Sequence, residues 1–78
     1  MSNEQLKRER FIKIAENRTN KIITMIKLLG NCSNKNNYTY DESDIRQIFN
    51  AIEQELRNTK NKFQEAQGDK KEFKLKGW

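Results

Sequence analysis

Residues 28–44 read "LLGNCSNKNNYTYDESD". An apolar helical pattern runs into Gly30, four asparagines and two tyrosines follow with no aliphatic residue, and an acidic cluster opens a second pattern. Asparagines bond readily to their own backbone and suit an irregular connection. Asp41 is a good N-cap, and Asp44 at the third helical position sits near the positive helix end. Gly30 stands where a glycine with positive φ would end a helix. The stretch therefore predicts two helices joined by a bend of residues 30–41. The connection is longer than a minimal helix–helix turn, which predicts that Tyr38 and Tyr40 pack over the bundle end. Lys35 and the tyrosines leave a second reading open, a recognition tip contacting phosphates or bases.

The segments on either side support the helices. Upstream, Ile12, Ala15, Thr19, Ile22, Ile26 and Leu29 are spaced 3-4-3-4-3, a helical period presenting one face. This predicts a helix over about 3–29, capped by Ser2 or Asn3 and supported by the pairs Glu4–Arg8 and Glu9–Lys13. Downstream, Ile45, Ile48/Phe49, Ile52, Leu56, Thr59, Phe63 and Ala66 form a second stripe, with Arg46, Glu53, Arg57 and Lys60 opposite. This predicts a cleanly amphipathic helix over about 42–67, with Glu42–Arg46 and Glu53–Arg57 pairs and a stop at Gly68.

The chain has 78 residues, no proline and three glycines. Its expected class is all-α: an antiparallel helical hairpin domain over 1–68 with a basic-aromatic C-terminal arm over 69–78. A lone hairpin of this length is marginal, so doubling into a four-helix bundle as a homodimer is expected. The first helix also carries apolar Ile14, Met25 and Leu28 away from its main stripe, and these predict a protein interface. Phe73 and Trp78 in "DKKEFKLKGW" predict a further contact. That arm reads either as a docked segment or as a disordered tail, and its three large apolar residues favour docking.

Charge is uneven. The net charge is +5, with the excess in the first helix and the tail. Arg10, Lys13 and Lys21 fall roughly opposite the Ile12/Ile26 stripe. Together with Lys35, Lys70, Lys71, Lys74 and Lys76 they are candidate nucleic-acid contacts, although a solvated charged surface has the same composition. No helix-turn-helix pattern appears, because the connection is too long for its tight turn.

Several chemistries are not expected. Without histidine, most general-base schemes and most zinc sites are lost. One cysteine excludes an internal disulfide. Cys32 follows a helix C-terminus, the wrong end for an activated nucleophile, and reads as a small half-buried residue. "GNCSNK" lacks the ending of a phosphate-binding loop. No catalytic residue, cofactor or metal is expected. No run approaches the ~18 apolar residues of a membrane span, and the polar start lacks a signal-peptide pattern, so a cytoplasmic protein is expected.

The run from Arg10 to Phe63 contains "RTNKII", "LLGNCSN", tyrosines flanking a threonine before an acidic helix start, and "IFNAIEQEL". In these it resembles small helical proteins carried by phages and conjugative elements of Gram-positive bacteria. That family has no assigned activity, so no residue role carries over. The resemblance implies an accessory factor of a mobile genetic element. The expected function is a non-enzymatic, nucleic-acid-associated or regulatory one, with a second copy and DNA or RNA as partners. The alternative is an inhibitor or adaptor acting on a host or element-encoded protein.

Overall fold

A computed structural model describes residues 2–68. Two α-helices and no strands occur among them: α1 over Asn3–Asn31 and α2 over Glu42–Ala66. The arm over 69–78, with its expected docking, lies outside the described residues. The chain divides into two units between Thr39 and Tyr40, each carrying one helix.

In the first unit, Ser2 caps α1, its Oγ accepting from the Gln5 N–H at 3.1 Å. The helix has 29 residues, about 44 Å at the usual rise, and nothing in the sequence interrupts it. Gly30 departs from its expected role. It lies inside α1, and the one positive-φ glycine of the described residues is Gly68. The physical reason lies in how the end is closed. Tight turns take the last carbonyls: Cys32 N–H donates to Leu29 O at 2.9 Å and Ser33 N–H to Gly30 O at 3.1 Å. The orphan acceptors are met without a left-handed residue. Cys32, expected to be half-buried, is exposed.

Asn34 organises the connection. Its Oδ1 accepts from the Asn36 N–H at 2.9 Å, and its carbonyl accepts from Asn37 and Tyr38. Local side-chain bonding of this kind is what asparagine offers a turn. Tyr38 is exposed and Tyr40 half-buried.

In the second unit, Asp41 and Asp44 form a reciprocal capping box. Asp41 Oδ1 accepts from the Asp44 N–H at 2.9 Å, and Asp44 Oδ2 from the Asp41 N–H at 3.0 Å. Two orphan donors are satisfied at once. At the far end, Gly68 takes φ +80° and donates to Glu65 O at 3.0 Å, so the stop expected there is a left-handed one. Asp41→Ala should lower the stability of α2 by about 1 kcal/mol. The check is the thermal midpoint of the helical circular dichroism signal, and an unmoved midpoint would deny the box that role.

The expected ion pairs form only in part. Glu42 meets Arg46 at 3.9 Å. Glu4 pairs with Lys7 at 3.8 Å in place of Arg8, whose guanidinium sits 5.9 Å from the Phe11 ring centroid. Arg57 donates to Gln54 Oε1 at 2.8 Å in place of Glu53. Among the described residues none pairs Glu9 with Lys13. These exposed pairs cost little to exchange, because each is worth little in water.

No side chain is buried among the described residues. The half-buried ones are Ala15, Leu29, Tyr40, Ile45 and Ile52, and four of those lie on the two apolar stripes. Each stripe thus shields itself slightly and stays open along its length: Ile22 is 56% exposed, Leu56 50% and Phe63 54%.

Candidate nucleic-acid interface

At 3.6 residues per turn, α1 carries two unlike sides. Phe11, Ile12, Ala15, Ile22, Ile23, Ile26 and Leu29 occupy one arc of about 120°. The other side, an arc of about 140° from Asn20 round to Met25, holds Lys7, Arg10, Lys13 and Lys21, with Arg18 at its edge. All five bases are exposed. The three carboxylates of α1, Glu4, Glu9 and Glu16, fall outside that arc, Glu9 about 20° beyond one end as Arg18 is beyond the other. Lys7 is engaged by Glu4 from next door. Among the described residues no carboxylate pairs with Arg10, Lys13, Arg18 or Lys21.

Two shallow open grooves run along this side. One is lined by Lys13, Ile14, Asn17, Arg18 and Lys21. The other, lined by Asn17, Asn20, Lys21, Thr24 and Met25, shares Asn17 and Lys21 with it. The helix therefore brings three expected cationic residues, Arg10, Lys13 and Lys21, onto one surface. It also sets Ile14 in one of these grooves and Met25 in the other, both expected at a protein interface. Leu28 continues that line, and Ile14, Met25 and Leu28 are 42%, 63% and 52% exposed.

Lys35 sits in the connection and already holds an interaction there. Lys70, Lys71, Lys74, Lys76, Phe73 and Trp78 lie outside the described residues. Asn17, Asn20 and Thr24 were not picked out by charge, yet they line the grooves. The signal for Asn17 and Thr24 was spacing: Arg10, Ile14, Asn17, Lys21, Thr24 and Leu28 recur at alternating steps of four and three.

No family model, curated protein or solved structure matches the chain. Its chemistry therefore rests on the face itself. The cationic heads can neutralise phosphates, and the asparagine amides can both donate and accept toward base edges. Arg10 to Lys21 spans about 16 Å at helical rise. A helix of ordinary diameter presenting such a line fits the major groove of B-form DNA, which is about 12 Å wide. No helix of the described residues is long and apolar enough to cross a membrane.

Proposed function

We propose that the protein is a non-enzymatic accessory factor of a mobile genetic element that binds double-stranded DNA through α1. The observation that carries this is the acid-free side of α1, where Arg10, Lys13, Arg18 and Lys21 are exposed and no described carboxylate neutralises them. Their spread along one helix matches a row of phosphates better than a single anion. Closure of the two helices as an antiparallel hairpin, and its doubling with a second copy, belong to the same reading. Both would cover the apolar arcs and leave the cationic side of α1 outward.

The test is fluorescence anisotropy on a labelled random-sequence duplex at low and at physiological salt. Four phosphate contacts predict a plot of log affinity against log salt with a slope of roughly −3.6. Duplex RNA should bind more weakly, because its narrow major groove does not admit a helix. No binding at low salt would overturn the reading. It would leave Met25, whose 63% exposure beside Lys21 favours an acidic and apolar protein surface as the alternative partner.

A further inference from the structure

The acid-free side of α1 has a midline, and Asn17 stands on it. At about 100° per residue, Lys13 falls about 40° to one side of Asn17 and Lys21 about 40° to the other. Each lies about 6 Å from it along the axis, in opposite directions. Asn17 and Lys21 are the residues that the two grooves share, and Asn17 is the uncharged one. Its side chain is exposed.

In a helix lying along the major groove, the angle round the axis decides what a residue meets. Residues to either side reach the phosphates of the two walls, contacts that position the helix and carry no sequence information. A residue between them faces the base edges. Lys13 and Lys21 diverge in the sense that sets one on each wall. Arg18, about 100° from Asn17 on the side of Lys21, faces backbone. Arg10 and Thr24 share the midline to within about 20°, but each lies about 10 Å from Asn17 along the axis. The groove curves away from a straight helix on both sides of its closest approach, and the two lysines centre that approach on Asn17.

The amide of Asn17 is also uncommitted. Two other asparagines are occupied locally: Asn34 Oδ1 accepts from the Asn36 N–H at 2.9 Å, and Asn58 Oδ1 accepts from the Gln54 amide at 3.1 Å. Among the described residues no hydrogen bond takes the side chain of Asn17. An asparagine amide offers one acceptor beside a pair of donors. Adenine is the base whose major-groove edge offers the complement, a donor at N6 next to an acceptor at N7. Guanine presents two acceptors there, cytosine a donor, and thymine an acceptor and a methyl group.

We infer that Asn17 determines sequence specificity, reading one adenine by a bidentate pair at the centre of the contact while Lys13 and Lys21 hold phosphates of opposite strands. This rests on the duplex-DNA reading above and adds to it a base and the residue that selects it.

The test is selection of duplexes from a randomised library by the full chain at low salt. The wild-type protein should enrich an A·T pair at one position. Asn17→Ala should lose that enrichment, while its affinity for the unselected library stays within about twofold, because the phosphate contacts remain. Alanine is the better helix former, so the exposed substitution leaves α1 folded. A second measurement isolates the atom. Placing 7-deazaadenine at the enriched position removes the N7 acceptor. It should weaken wild-type binding by about fivefold and leave Asn17→Ala unaffected. A library bound without an enriched A·T pair, an enrichment that survives Asn17→Ala, or an equal 7-deazaadenine penalty in both proteins overturns the base reading and leaves DNA binding in place. No binding to the library overturns the duplex-DNA reading itself, and the inference with it.

Discussion

Replacing Leu56 by aspartate is expected to give a protein of single-chain mass that has lost more than half of its helical signal. Leu56 lies at the middle of the α2 seam and is half exposed in the single chain. In the hairpin and its doubling proposed above, the α2 seam that carries Leu56 is covered. A carboxylate placed there without a partner costs several kcal/mol, against a total stability that for a chain this small is only a few. The conservative control is Leu56→Met, which keeps volume and apolar character and should cost less than about 1.5 kcal/mol. Circular dichroism and light scattering on the three proteins decide the matter. An aspartate variant that keeps both mass and helicity would place Leu56 outside any core.

The second large effect is on DNA. Reversing two charges, Lys13→Glu with Lys21→Glu, puts carboxylates into both grooves of the acid-free side of α1. Two phosphate contacts are lost and two repulsions gained, so affinity for duplex DNA at low salt should fall by at least ~100-fold. The control is Lys60→Glu with Lys62→Glu on α2, which changes the net charge equally. If both double variants lose affinity alike, binding follows overall charge and α1 is not the contact. Neither pair lies on an apolar seam, so helicity should survive in both.

The helices were legible because their signals are local. Asp41, Asp44 and Gly68 act on atoms within four residues of themselves, and the structure places all three as read. Gly30 misled because a glycine near a helix end permits a left-handed stop without demanding one. Tight turns through Cys32 and Ser33 satisfied the same carbonyls. Cys32 was misread with it, since a residue in such a turn gains cover only from whatever packs above it. The ion pairs were half legible for a similar reason. Spacing limits which side chains meet, but exposed Glu4 chooses between Lys7 and Arg8 for a fraction of a kcal/mol. On the candidate interface, charge disclosed Arg10, Lys13 and Lys21. Asn17, Asn20 and Thr24 carry no charge and emerged only once the helix put them beside Lys21. Ile14 and Met25 occupy the same side of the wheel as the cationic residues, a neighbourhood that helical spacing fixes.

That no described side chain is buried bears on dosage. Described residues without an interior have little to offset the entropy of ordering two long helices. If the two-copy reading proposed above holds, folding and assembly become one event, second order in the protein, and stability has a value only at a stated concentration. Modest changes in expression would move the folded fraction as well as the total amount. Below the midpoint of assembly, newly made chains are open to proteases, and above it they are sheltered. On that reading a gene for such a protein would work as a threshold device, silent at low output and abruptly effective once enough copies coexist.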